Sequence, residues 1–308
     1  MTETPDRLRR LALQWVALTA LGGLAGCQTP PAPALPPPVL PPPPPPPRAL
    51  RPPLLGLALG GGAARGFAHI GVIQVLEEQG IRPQLVAGTS AGSLVAALYA
   101  SGHSGADMGR MAQDMDESAL TDWAFPGRGV LKGEALARFV RQQTGGLPIE
   151  QMKLPLGIVA TDLADGQPIL FRRGDVGSAV RASSAVPAVF QPVRINGREY
   201  VDGGLVSPVP VRYAREMGAE MVIAVDISTP PDGGATGDAL RLLLQTFSIM
   251  GRSINQWELK DADVVLRPTL GGVAGTDFTA RLRALKAGRD AAMAMLPTIR
   301  QKLSALAR

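Results

Sequence analysis

From residue 54 onward, short apolar runs alternate with stretches whose apolar positions recur at helical spacing. Leu54-Leu55-Gly56-Leu57-Ala58-Leu59 contains no polar side chain, the pattern of a strand buried on both faces. A row of small residues follows, Gly60-Gly61-Gly62-Ala63-Ala64-Arg65-Gly66, and then a helix predicted over Ala68–Gln79 and closed by Gly80. The next apolar run begins at Leu85 and passes through Gly88-Thr89-Ser90-Ala91-Gly92 into an apolar helix that Gly102 stops. The order strand, helix, strand, helix predicts parallel strands of an α/β sheet. Ligands in such sheets bind at the C-terminal ends of the strands, where both glycine-containing turns fall.

The pattern continues with a helix over Gly133–Gln143, a strand over Leu156–Thr161 and a helix over Asp175–Ser184 that ends before Pro187. The segment from Gln191 to Val201 reads as a hairpin around Asn196-Gly197, the pair favoured in two-residue type I′ turns, and it leads into Asp202-Gly203-Gly204. A strand over Met221–Val225 ends at Asp226, and a polar loop over Pro230–Gly237 precedes a long helix. A strand over Asp263–Leu266 and a last helix complete the chain, with Phe278, Leu282, Leu285, Met293, Leu296, Ile299 and Leu303 at roughly helical spacing. No internal repeat is visible.

Composition changes this picture mainly at the N-terminus. Residues 28–53 hold 15 of the 29 prolines, with an unbroken run from Pro41 to Pro47. Such a segment builds no core; as extended polyproline II at about 3.1 Å per residue it would reach up to roughly 80 Å. It reads as a stiff tether, with a docking site for a proline-recognising partner as the alternative. Ahead of it, Arg7, Arg9 and Arg10 precede an apolar stretch, Leu11 to Leu24, that falls short of the roughly 20 residues a membrane span needs. The single cysteine, Cys27, excludes an intrachain disulfide. Leu24-Ala25-Gly26-Cys27 resembles the lipobox of bacterial lipoproteins, which implies a signal peptide over residues 1–26, a lipid on Cys27, a tether over 27–53 and a folded domain over 54–308. Gln28, where Asp is the commoner inner-membrane retention signal, makes the outer membrane of a bacterial cell envelope the expected destination. The net charge of +5 is moderate and shows no Lys/Arg run interleaved with aromatics, so nucleic acid is not an expected partner.

The chemistry concentrates in the two glycine turns. In Gly88-Thr89-Ser90-Ala91-Gly92, small neighbours allow a strand to reverse directly into a helix, leaving Ser90 exposed at the apex above a helix N-terminus. The first glycine row fails the dinucleotide fingerprint, because the spacing from Gly60 ends on Arg65 and the spacing from Gly61 meets Ala63. It fails the phosphate-loop pattern because Phe67 follows Gly66. What remains is a row of unhindered backbone N–H groups near a helix start, a candidate oxyanion hole. A serine nucleophile needs a base, yet the chain has only His69 and His103. No histidine follows in the C-terminal part, where an α/β-hydrolase triad places its own, so a carboxylate is expected to act directly.

Gly61-Gly62-Ala63-Ala64-Arg65-Gly66, Gly88 to Gly92 and Asp202-Gly203-Gly204 together resemble the patatin-like phospholipases, and Arg181-Ala182-Ser183-Ser184-Ala185-Val186-Pro187 resembles the family's helix before the aspartate strand. The resemblance spans about residues 54–300 and implies a three-layer α/β/α sandwich with a mostly parallel sheet. It implies Ser90 and Asp202 as a catalytic dyad, the N–H groups of Gly61, Gly62 and Ala63 as the oxyanion hole, Arg65 as support for that loop, and no metal or cofactor. The implied substrate is a phospholipid or another acyl ester, reached from a membrane through the N-terminal lipid. One departure stands out: Ala63 replaces the family's third glycine, and alanine is expected to lose access to positive φ there. Met108, Met111 and Met115 on one helical face, with Trp123, Phe125 and Pro126 beyond, read as core packing, with an acyl-chain pocket or mobile cover as the alternative. An acyltransferase using the same acyl-enzyme and a non-catalytic scaffold lipoprotein remain alternative functions.

Overall fold

The computed structural model describes residues 51–115, 129–228, 239–275 and 277–307. Cys27, the signal segment, the tether up to residue 50, Trp123, Phe125, Pro126 and the loop predicted over Pro230–Gly237 lie outside the described residues. The elements run β1 (Leu55–Leu59), α1 (Phe67–Glu78), β2 (Leu85–Thr89), α2 (Ala91–Ser101), α3 (Gly105–Asp114), β3 (Gly129–Leu131), α4 (Glu134–Gln143), β4 (Leu156–Asp162) and β5 (Pro168–Phe171). They continue with α5 (Val176–Ser183), β6 (Ala188–Phe190), β7 (Val193–Ile195), β8 (Arg198–Asp202), α6 (Val211–Glu216), β9 (Met221–Val225), α7 (Ala239–Glu258), β10 (Val264–Leu266) and α8 (Arg281–Ala305).

The strands with continuous apolar sequence form the middle of the sheet, in the order β10-β9-β1-β2-β4-β8-β7 with β5 paired to β4. All pairings from β10 to β4 are parallel, while β5 and β8 pair antiparallel with β4, and β7 antiparallel with β8. Leu55, Leu57 and Leu59 of β1 point to one core, against helices that include α1 and α2, while Ala58 points to a second core containing Val211 and Ala214 of α6. Helices therefore cover both faces of a mostly parallel sheet, the three-layer α/β/α arrangement. The β7–β8 hairpin turns at Asn196 and Gly197 with φ of +51° and +82°, as a type I′ turn requires.

One register detail positions the site. Ile158 of β4 is shared by Gly88 of β2 and Phe171 of β5, and Ala160 is shared by Ile169 of β5 and Asp202 of β8. Both β2 and β8 therefore lie on the edge of β4 opposite β5, one beyond the other. Thr89 pairs with Val159 and Asp202 with Ala160, so the C-terminal ends of β2 and β8 meet at consecutive residues of β4.

The last helix differs from its hydrophobic pattern. Leu282 and Met293 are half exposed, and the buried positions of α8 are Ala284, Gly288, Ala292, Leu296 and Ile299. Close approach to α1 decides this: a Cβ on Gly71 would lie 2.0 Å from the Leu285 carbonyl oxygen, and one on Gly288 would lie 1.9 Å from that of Ala68. Small residues let the two backbones touch, so packing selects a face that hydrophobicity alone does not mark. Strands β5 and β6 and the six-residue α6 were not marked by the sequence pattern.

Candidate active site

Ser90 sits between β2 and α2 with φ +53° and ψ −124°, a strained conformation for a residue with a side chain. Its neighbours make this possible. A Cβ on Gly88 would lie 2.5 Å from the Gly92 carbonyl oxygen, and one on Gly92 would lie 2.1 Å from the carbonyl oxygen of Leu59. The turn is pinned from outside as well. The Ser90 N–H donates to the Ser183 hydroxyl (2.8 Å), which itself donates to the Val159 carbonyl (2.5 Å), and the Ser93 hydroxyl donates to the Ser90 carbonyl (2.7 Å). Strain of this kind costs about 1–3 kcal/mol and persists only where such contacts over-determine it.

Asp202 ends β8 and is 4% exposed. Its N–H donates to the Ala185 carbonyl and its own carbonyl accepts from the Thr161 hydroxyl, so the backbone is fixed on both sides. The two glycines that follow have distinct steric tasks. A Cβ on Gly203 would lie 2.2 Å from the Val159 carbonyl oxygen, and one on Gly204 would lie 2.9 Å from the Asp202 carboxylate. Gly204 can thus bring its N–H to 2.6 Å from that carboxylate. Burial pushes the Asp202 carboxyl up to about 6, while the Gly204 N–H and the Ser90 side chain facing it pull the other way. A carboxylate held this close to neutral pH suits proton transfer.

The glycine row after β1 lies against Ser90: a Cβ on Gly61 would be 3.2 Å from the Ser90 Cβ and 3.9 Å from its Oγ. Of the three expected oxyanion donors, Gly61 is already engaged, its N–H donating to the Pro208 carbonyl at 2.9 Å. Among the described residues, the N–H groups of Gly62 and Ala63 have no recorded protein acceptor. Ala63 does adopt positive φ, at +50°, contrary to the expectation for alanine. The loop beyond holds it there: the Ala64 N–H donates to Gly275, and both the N–H and Nε of Arg65 donate to the Gly62 carbonyl. Arg65 thus folds back onto its own loop, and its burial lowers the guanidinium pKa, with Asp226 opposing that shift.

The two histidines are accounted for elsewhere. His69 is fully buried, its Nε2–H donates to the Gly60 carbonyl (2.8 Å), and burial lowers its pKa to about 4, so it is neutral. It braces the start of the glycine loop. His103 lies past Gly102 at the far end of α2, with Nε2 2.8 Å from the Gln143 carbonyl. From the start of α2 that is about 18 Å along the axis at 1.5 Å per residue. His103→Ala and His69→Gln are each expected to keep turnover within about tenfold of wild type, measured on a short soluble ester. A loss beyond about a hundredfold in a folded variant would assign a histidine base.

Sequence reasoning did not single out the residues that hold the turn. Ser183 was visible only as part of a matching segment. Ser207 accepts the Thr89 hydroxyl through its carbonyl (2.8 Å), and its own hydroxyl donates to Glu258 (2.5 Å), whose carboxyl burial pushes up to about 7. Nothing in the local sequence marks these contacts. An apolar cavity is lined by Ala63 of the glycine row and by Ala91, the residue after Ser90, together with Leu98, Met108, Met111 and Met115. Met108 is 1% exposed, so the methionine face both packs the core and walls this cavity. Among the described residues, no group of three or more His, Cys, Asp or Glu side chains is placed to hold a metal ion.

A serine raised on a strand-to-helix turn of a parallel sheet, beside a row of small residues, defines an α/β protein built around a nucleophile elbow. Comparison with known sequences makes the class specific. The chain belongs to the patatin-like phospholipase family, which matches residues 57–215, just over half of its length. An uncharacterized NTE family protein of Mycobacterium tuberculosis is 37% identical over 186 residues, covering 59% of this chain and 51% of that protein. Patatin-like phospholipase domain-containing protein 6 of Mus musculus is 31% identical over 236 residues, covering 73% of this chain and 17% of that protein. The chain spans about half the length of the mycobacterial relative. In fold it is similar to VipD from Legionella pneumophila, with a TM-score of 0.56 at 17% identity over 81% of this chain and 68% of that one.

Proposed function

We propose that the protein is a lipid acyl hydrolase of the phospholipase A or esterase type, working through a Ser90–Asp202 dyad. The observation that carries this reading is the meeting of β2 and β8 on one edge of β4, which sets a strained serine against a buried carboxylate. The ionised Asp202 takes the hydroxyl proton as Ser90 Oγ bonds to the ester carbonyl carbon. The carbonyl electron pair moves onto oxygen, where the N–H groups of Gly62 and Ala63 and the N-terminus of α2 favour negative charge. Collapse expels the alcohol oxygen, which takes the proton from Asp202, and leaves an acyl-Ser90 ester. Asp202 then accepts a proton from water attacking that ester, and the second collapse frees the acid and returns the proton to Ser90. Gly61 shapes the loop, its N–H being spent on Pro208, and Arg65 holds the loop closed from behind. The apolar cavity that Ala63 and Ala91 line supports an acyl chain as the group bound next to the reacting carbonyl.

A fluorophosphonate probe is expected to label Ser90, and phospholipid vesicles incubated with the protein are expected to release free fatty acid. Transfer of the acyl group to an added alcohol in preference to water would make the protein an acyltransferase, and failure to label would leave a scaffold. The proposal includes attachment to a bacterial envelope membrane by a lipid on Cys27. Cys27→Ser is expected to abolish lipid incorporation and leave the precursor uncleaved in whole cells; processing indistinguishable from wild type would reject the anchor.

A further inference from the structure

Among the described residues, the long helix α7 leaves much of an apolar stripe uncovered. Leu240, Leu243, Leu244, Phe247, Met250, Ile254 and Trp257 recur at intervals of three and four, one side of a helix. Yet Leu240, Leu244, Met250 and Trp257 are 42%, 36%, 45% and 71% exposed, and the only buried side chains of α7 are Asn255 and Glu258 near its C-terminus. The helix is therefore attached at its base, with most of its length outside the core. Exposed apolar surface of this extent on a monomer marks an interaction site.

The base joins the segment that carries the candidate site. Glu258 accepts from the Ser207 hydroxyl, and a Cβ on Gly251 would lie 3.4 Å from the Pro208 ring. Ser207 in turn holds Thr89, beside Ser90, and Pro208 holds Gly61. The charge pattern indicates what the stripe meets. Residues 242–251 contain no ionisable side chain, Arg252 is exposed on the helix, and Lys260 lies over the ring of Trp257 with Nζ 3.9 Å from its centroid. The one acid of the helix, Glu258, is buried. Asp261, just past Lys260, is exposed, but within α7 itself the leucines, phenylalanine and tryptophan are accompanied by the exposed Arg252 and by no exposed acid, the chemistry of a helix lying in the plane of an anionic bilayer surface. Among the described residues, no helix is long and apolar enough to cross a membrane.

We propose that α7 is a docking helix that seats its apolar stripe in an anionic lipid surface and thereby presents the Ser90 site to that surface. This rests on the reading of the substrate as a membrane lipid, and the test separates the two. In the full chain with Trp15→Phe and Trp123→Phe, Trp257 is the sole tryptophan reporter. Added phosphatidylcholine/phosphatidylglycerol vesicles carrying brominated acyl chains are expected to quench its emission at least twofold, and pure phosphatidylcholine vesicles to quench it less. Leu244→Asp combined with Met250→Asp is expected to abolish the quenching and lower hydrolysis of vesicle lipid about tenfold, with turnover of a short soluble ester within twofold. That soluble turnover, with the far-UV circular dichroism, reports that the variant is folded. The quenching needs no chemistry, so Ser90→Ala should show it in full. Quenching without hydrolysis would sink the proposed activity and leave the docking helix standing. Trp257 emission that is unmoved by any vesicle overturns the proposal. So does emission already blue-shifted without lipid in a dimer that the Asp variant dissociates, because the stripe would then belong to a second copy.

Discussion

Ser90→Ala is expected to lower ester hydrolysis by on the order of 10⁴–10⁶, because a covalent route cannot start without the hydroxyl and the remaining groups only bind and orient. The fold should survive. The Ser90 N–H still reaches the Ser183 hydroxyl, the Ser93 hydroxyl still reaches the backbone carbonyl of residue 90, and neither contact uses the lost oxygen. Measured as fatty-acid release from vesicles, with circular dichroism as the control for folding, the variant should sit at background. Retention of more than about a hundredth of wild-type turnover would move the nucleophile elsewhere.

Asp202→Asn is expected to cost about 10²–10⁴ in turnover, the usual worth of a general base. The pH dependence gives this result its signature. With the carboxyl at about 6, wild-type kcat/KM should fall below pH 6 as Asp202 takes up a proton. The residual activity of the asparagine variant should lack that limb. Stability should move the opposite way. The folded-state value lies above the ordinary 3.8, so the folded protein binds the proton more tightly than the unfolded chain. This favours the folded state most below about pH 4, and the advantage is lost as pH rises through about 6. Above pH 6 the buried carboxylate therefore costs stability, by on the order of 2–3 kcal/mol, which asparagine removes while still accepting from Gly204. The variant should melt higher than wild type at pH 8, and the difference should shrink towards pH 4. Equal melting temperatures at pH 8 together with an unchanged acid limb would take the base role from Asp202.

What could be read along the chain was what is local. The strand, five-residue turn and helix around Ser90 need only Gly88, Gly92 and an apolar run on each side, all within one short segment. The Asn196-Gly197 turn is likewise local, because both residues tolerate positive φ without help from the rest of the fold. The parallel order followed from strands alternating with helices. Pairing Ser90 with Asp202 came from resemblance, and the physical cause appears only in three dimensions: β4 has a free edge beyond β2, and β8 fills it from the opposite direction.

Other features depended on contacts between distant segments, which no local pattern encodes. The Pro208 carbonyl takes the N–H of Gly61 and so narrows the proposed oxyanion donors to Gly62 and Ala63. Ala63 reaches positive φ because Gly275 and Arg65 fix the loop beyond it, against the intrinsic preference of alanine. In α8, backbone contact through Gly71 and Gly288 outweighed the larger apolar side chains in choosing the buried face. Local sequence thus determined the turns and the runs, where a few residues set their own dihedral angles. The tertiary structure decided which groups meet, because that depends on edges, registers and close approaches between segments far apart in the chain.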